Sequence, residues 1–312
     1  MKKLLLSGLG GSLFPYLHEQ LKASYELFYV DNQEELKYIY PDYNFFPAPL
    51  VKHADYLPFV KKLIREKGIE VYIPLIDEEI ELALELEKDF PQLVVLSPKK
   101  EFVELCLNKY NLMHSLEKHG ISSIATVRGD EFNGQISYPL FVKPIFGRGS
   151  RGIAEIYNAQ ELESYYQSEP YKPSEVLVQP LIKGQEYTVG VLVNPVNKIL
   201  CLASRCVISK KGITQSAYST NVGEIDEVVY KINEIYTPGG PYNVQLFVDQ
   251  NNKVHIFEIN PRFSTTSIMS YAGGVNEIQL YLNNLQNKEI AEVRPKANIY
   301  LKRMWNNMFY EK

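Results

Sequence analysis

The order of apolar runs along the chain is what most restricts its fold. Over the first hundred residues, short strand-like runs alternate with helical stretches. Residues 3–6 are apolar and end in Ser7-Gly8-Leu9-Gly10-Gly11. A helical stretch leads to residues 26–30, which end in Asp31, and a helix with apolar Phe59, Leu63 and Ile64 leads to residues 71–75. Asp77 then opens a helix through Leu86, followed by residues 93–96. Such β-α-β-α-β-α-β alternation predicts a parallel, doubly wound sheet covered by helices. After Pro98 the pattern changes: residues 101–119 read as one helix closed by Gly120. From Tyr138 strand-like runs dominate, at residues 140–142, 176–178, 187–193, 199–203, 244–248 and 254–259, with helices near 159–166 and 224–236. This second region is expected to be α+β on antiparallel strands, with the boundary near residues 97–101.

Composition narrows the function classes. With 45% hydrophobic and 22% charged residues in 312, the chain supports packed domains and is not a disordered or collagen-like sequence. A net charge of −4 argues against a broad nucleic-acid footprint or a polybasic membrane patch. Cys106, Cys201 and Cys206 form no metal-knuckle spacing, which suits a reduced compartment. The start, MKKLLLSGLGG, has too short an apolar run for a signal peptide and reads as a buried strand. A cytoplasmic protein with no nucleic-acid or membrane partner is the expectation.

Ligands in doubly wound sheets sit beyond the carboxyl ends of strands, where this sequence places Gly8 to Gly11, Asp31 and Asp77. A dinucleotide fingerprint would need a third glycine where Leu13 stands. A tight strand-to-helix turn is the better reading, and Asp77 serves a helix start as well as a ligand.

Four segments of the second region carry readable chemistry. In Phe141-Val142-Lys143-Pro144-Ile145-Phe146-Gly147-Arg148-Gly149-Ser150-Arg151-Gly152, a strand delivers a lysine and a glycine-rich loop follows. Without side chains, backbone N–H groups can approach a polyphosphate, although a plain turn fits the same residues. In Val176-Leu177-Val178-Gln179-Pro180-Leu181-Ile182-Lys183-Gly184-Gln185-Glu186, a strand runs into a hinge and an acid. The Pro180 carbonyl and the Ile182 N–H can read adenine, and Glu186 can accept from two ribose hydroxyls; a strand, a turn and a surface glutamate is the alternative. The third segment pairs residues 243–248 with residues 254–262 around an Asn-rich turn. It sets Gln245 opposite Glu258, with Glu258 and Asn260 on one face. Oxygen ligands on one face suit Mg²⁺ shared with substrate phosphates, and Arg262 just beyond is placed to meet developing negative charge. The fourth is Lys109, a lone helical lysine that context alone promotes.

In this order, the lysine in a helix, K-P with its glycine-rich loop, the hinge with G-x-E, and E-I-N-P-R resemble the ATP-grasp superfamily over about residues 98–285. The N-V-Q context of Gln245 is similar to the synthetase halves of carbamoyl-phosphate synthase, whereas many members place an acid there. The resemblance implies a pre-ATP-grasp domain over residues 1–98 and an ATP-grasp domain over 99–312, with lobes 99–180 and 181–312. It implies that Lys109 and Lys143 contact ATP phosphates and that Gly147, Gly149, Ser150 and Gly152 close over them. Gln179, Pro180 and Ile182 would hold adenine and Glu186 the ribose. Gln245, Glu258 and Asn260 would bind one or two Mg²⁺ ions, Gln245 only weakly. Arg262, with Lys143, would serve catalysis.

The implied activity is a carboxylate–amine ligase that forms an acyl-phosphate and releases ADP and phosphate. The alternatives are carboxyphosphate or carbamoyl-phosphate synthesis, or a non-catalytic ATP-binding subunit. The sequence has room for one such unit, so a single ATP site is expected, with small-molecule acid and amine substrates and possibly a homodimer. Residues 205–219 (RCVISKKGITQSAYS), with Arg205, Lys210, Lys211 and Gly212, read as a mobile lid or anionic-substrate clamp, or equally as a solvated loop.

Overall fold

The computed structural model describes residues 1–11, 13–147, 149, 151–286, 289–304 and 307–311. Strands β1 (Lys2–Ser7), β2 (Tyr25–Asp31), β3 (Asn44–Pro47), β4 (Val71–Ile73) and β5 (Val94–Val95) form a parallel sheet in the order β3-β2-β1-β4-β5. Its helices are α1 (Phe14–Leu21), α2 (Leu36–Ile39), α3 (Tyr56–Lys67) and α4 (Asp77–Asp89). The leucine run of β1 explains the two-sided burial. Leu4 and Leu6 pack with Phe14, Leu17 and Leu21 of α1, while Leu5 on the other face packs with Val60, Leu63 and Ile64 of α3. Both faces are covered, as a parallel sheet requires. Strand β3 and the short α2 are absent from the sequence expectation. Only four residues long and lying at the edge, β3 has no buried alternation to announce it.

The remainder is α+β on antiparallel strands, as expected, in two sheets. Strands β6 (Val127–Arg128), β7 (Leu140–Pro144), β8 (Ala154–Ile156) and β9 (Val176–Pro180) run in the order β6-β9-β7-β8. The larger sheet contains β10 (Gln185–Val193), β11 (Ile199–Lys211), β12 (Ile213–Thr220), β13 (Tyr242–Val248), β14 (Val254–Asn260) and β15 (Tyr300–Lys302), ordered β14-β13-β10-β11-β12-β15. Helices α5 (Lys100–Leu107), α6 (Lys109–Lys118), α7 (Ala159–Ser168), α8 (Gly223–Tyr236), α9 (Ile268–Ala272) and α10 (Glu277–Leu285) complete the described elements. One face of the larger sheet, through Val189, Val191, Val244, Leu246 and Ile259, packs on α5, α6 and α8. Part of the other face, through Leu192 and Ala203, meets α9, α10 and the N-terminal sheet in one core.

Two sequence expectations need correction. Residues 101–119 are not one helix: Asn108 is extended, with φ −97° and ψ 96°, and its side chain caps α6 by accepting from the Asn111 N–H. Residues 205–219 are not a lid loop. They are the facing strands β11 and β12, turned at Gly212 with φ +70°. The buried positions of β12 include Thr214 and Ser216, so no apolar alternation marked it as a strand.

Candidate active site

The break at Asn108 makes Lys109 the first residue of α6. Its aliphatic stem is buried, and its ammonium donates to the Gly147 carbonyl at 2.7 Å and lies 3.4 Å from Glu258 Oε1. Lys143, buried in β7, donates to the Phe257 carbonyl at 2.7 Å. That carbonyl is available because Phe257 is an extra residue in β14: Gln245 faces Glu258 and the next pair is Leu246 with Ile256. Burial pulls the Lys143 ammonium down to about 8; nearby Glu258 opposes the shift, and Lys109 and Lys210 add to it.

The expected acceptors lie on the same side. Gln245 and Glu258 are direct cross-strand neighbours, and Asn260 faces Asn243. The Asn260 Nδ2 donates to Asn243 Oδ1 at 3.4 Å, so the Asn260 Oδ1 is the side-chain atom that a cation could meet. Asn243, which the sequence did not single out, also donates to the Arg262 carbonyl at 3.0 Å and so braces the turn after β14. The donor set is one carboxylate and two amide oxygens, hard ligands that fit Mg²⁺ sharing its shell with phosphates and water. Glu186 and Gln245 are bridged by one ammonium: Lys210 donates to Glu186 Oε1 at 2.7 Å and to Gln245 Oε1 at 3.0 Å.

The glycine-rich segment joins β7 to β8 beside these groups. Gly147, Gly149 and Gly152 have φ of +118°, +71° and +64°, backbone conformations open to glycine. A Cβ on Gly152 would also come within 2.4 Å of the Tyr171 ring. Ser150 falls outside the described residues. Pro180 ends β9 and Ile182 lies in the connection to β10, whereas the Gln179 side chain is buried and donates to Thr126 Oγ1 at 2.7 Å. Only the backbone of Gln179 is left to face an adenine.

Arg262 is held across the two regions. Asp77, the first residue of α4, sits where the parallel strand order reverses around β1 and β4. Its carboxylate accepts from Arg262 Nε and, at 3.2 Å, from Nη2. Beside this pair, between α4 and β14, lies a cavity of about 240 Å³ whose lining includes Asp77, Glu78, Lys109, Gly147, Glu258 and Asn260. Asp77 does not cap its helix, since Ile76 is the N-cap position and no side chain caps it; its carboxylate is paired with Arg262 instead.

Two expected substrate contacts are placed differently. Arg205 is 1% exposed, bonded through Nη2 to Ser270 and, at 3.4 Å, to Glu277 Oε1. A Cβ on Gly190 would come within 2.6 Å of its Nη1, so the guanidinium lies flat on β10. It ties β11 to α9 and α10 and does not stand on a solvated loop, which corrects its reading as an anion clamp there. Lys211 is exposed at the end of β11.

A family described as ATP-grasp in the biosynthetic pathway with Ter operon matches residues 172–306. The carbamoyl phosphate synthase large chain of Archaeoglobus fulgidus is 24% identical over 232 residues, covering 67% of this chain and 20% of its own length. The chain thus spans about a fifth of that relative. The biotin carboxylase domain of Hydrogenobacter thermophilus 2-oxoglutarate carboxylase, solved with MgADP, ADP and bicarbonate, superposes with a TM-score of 0.77 at 16% identity, covering 96% of this chain and 73% of that one. An L-amino acid ligase from Bacillus licheniformis superposes with a TM-score of 0.69 at 17% identity, covering 91% and 74%.

Proposed function

We propose that this chain, whose fold is that of the ATP-grasp ligases, activates a small-molecule carboxylate with ATP and joins it to an amine. The observation that carries the reading is the pairing inside the site. Ammonium groups of the kind that hold phosphates, Lys109 and Lys210, are matched to oxygen acceptors of the kind that hold a metal and a ribose, Glu258, Gln245 and Glu186. The long Lys109 side chain can leave Glu258 when a polyphosphate with its own cation arrives, so each partner exchanges one charge for another.

In this reading Lys109 and Lys143 bind the phosphates, and the open backbone at Gly147 and Gly149 covers them. Glu258 and Asn260 would hold Mg²⁺, which when bound neutralises charge on the transferring phosphoryl group, and the neutral Gln245 would hold an ion only weakly. The hinge at Gln179 to Ile182 reads adenine through its backbone. A carboxylate oxygen attacks the γ-phosphorus and the bond to ADP breaks, giving an acyl-phosphate. The amine then attacks the acyl carbon, phosphate departs, and the ammonium proton is lost to solvent. Arg262, aimed by Asp77, meets the negative charge of the acyl-phosphate and of the tetrahedral intermediate. Positioning and charge neutralisation supply most of the acceleration in such chemistry.

ADP release measured against pooled amino, hydroxy and sugar acids with amines tests the proposal. Release that needs acid and amine together is the expected result. The carbamoyl phosphate synthase relative and the bicarbonate in the biotin carboxylase structure favour one second reading, carboxyphosphate formation. ADP release with bicarbonate and no organic acid would select it. Nucleotide binding without ADP release across the whole panel would select a non-catalytic subunit.

A further inference from the structure

The sequence reads Lys210 only as part of a lid or anion clamp, and the comparisons give it no role. It lies near the tip of the β11–β12 hairpin, where the residue is exposed but its side chain, 27% exposed, is held from three sides. Glu186 and Gln245 accept two of its N–H bonds, and its nitrogen stands 5.6 Å from the centre of the Phe257 ring. Lys143 approaches the same ring at 5.5 Å. The hairpin tip closes on the glycine-rich segment: a Cβ on Gly212 would lie 3.9 Å from the Gly149 carbonyl oxygen. The hairpin that carries Lys210 thus reaches the glycine-rich segment beside Lys109 and Lys143.

We propose that Lys210 is a built-in cation of the nucleotide site, standing beside Gln245 where a second divalent ion would otherwise bind. This rests on the ATP reading above and adds to it that the chain works with one Mg²⁺, held at Glu258 and Asn260. Three observations combine. Gln245 is neutral, so it attracts a metal ion weakly, and its Oε1 is already taken by the ammonium at 3.0 Å. Among the described residues no three His, Cys, Asp or Glu side chains gather as a metal cage, so Glu258 is the sole carboxylate of the cluster it forms with Gln245 and Asn260. An ammonium carries three N–H donors, two of which are used here; the third is the one it offers to a phosphate oxygen.

The test uses the full chain, a non-hydrolysable ATP analogue and Mn²⁺, with bound ions counted by electron paramagnetic resonance and nucleotide affinity by calorimetry. One Mn²⁺ per chain at saturation is expected. Lys210→Met should weaken analogue binding by about tenfold, the scale of one charge-assisted hydrogen bond. The double variant Gln245→Glu with Lys210→Met, which exchanges the ammonium for an acid, should take up two ions. Two ions in the unaltered chain, unchanged affinity in Lys210→Met, or a single ion in the double variant would each overturn the assignment of Lys210 while leaving the ATP reading intact. Failure of the unaltered chain to bind the analogue would overturn both.

Discussion

Asp31 and Glu258 each stand at or near the end of a strand, with a glycine-rich turn close by, but they meet different partners. Asp31 ends β2, and its two oxygens accept from the Gly10 and Gln33 backbone N–H groups, both at 3.0 Å. Those donors belong to the turns that follow β1 and β2, so the carboxylate closes its own sheet edge. Glu258 in β14 is met by the end of a lysine side chain from another element, at 3.4 Å. A carboxylate bonded to backbone has no partner that a ligand can displace. A carboxylate facing an ammonium on a four-carbon stem has one, and the stem can follow the ligand. The dinucleotide-like turn is accordingly structural, and the later segment is the better place for chemistry.

Substitutions can break this contrast. The largest effect is expected for Glu258→Ala, which should lower ADP release by roughly a thousandfold by removing the only carboxylate of the metal set. Full activity in this variant would overturn the metal assignment. Next is Asp77→Ala, which strands the nearly buried Arg262 guanidinium and should cost about 3 kcal/mol in urea unfolding. A loss below half of that would mean that the pair contributes little to joining the two regions.

Glu79, one turn into α4, supplies a pH test of the N-terminal region. It is fully buried and accepts from the Tyr56 hydroxyl at 2.7 Å, and burial pushes its carboxyl from 4.5 up to about 7. Because the folded state holds this proton more tightly than the unfolded chain, stability should fall as pH rises from about 4.5 to 7 and level off above. Glu79→Gln should flatten that slope and add about 2 kcal/mol at pH 8, as read by denaturant titration. A slope that persists unchanged in the variant would assign it to other groups. The smallest effect is expected for Asp31→Asn, which should cost about 1 kcal/mol of stability and leave nucleotide affinity within about twofold. A loss of nucleotide binding there would erase the distinction between the two acids.

Much of this was legible in residue order. The alternation of the first hundred residues announced a parallel sheet, and E-I-N-P-R after an apolar strand announced polar groups on one face. Asn108 was harder to read, because an asparagine inside a helical pattern breaks it only if its side chain finds a backbone donor, here Asn111. That break converts a seemingly solvated Lys109 into a buried ammonium in the site. Strand β12 was hidden because its inward positions are small and mostly polar, which mimics a loop. Arg205 looked like a surface clamp for the same reason, since its partners Ser270 and Glu277 lie 65 and 72 residues away.

The sequence by itself determined the two-part architecture and the chemical types carried by the two strands around the Asn-rich turn. Period and local turn chemistry are enough for those. Only the tertiary structure decided which charges meet: Asp77 with Arg262, Lys109 with Glu258, and Lys210 with Glu186 and Gln245. These pairs join elements from different parts of the chain. Their distances depend on how sheets and helices pack, and residue spacing along the sequence carries no record of that.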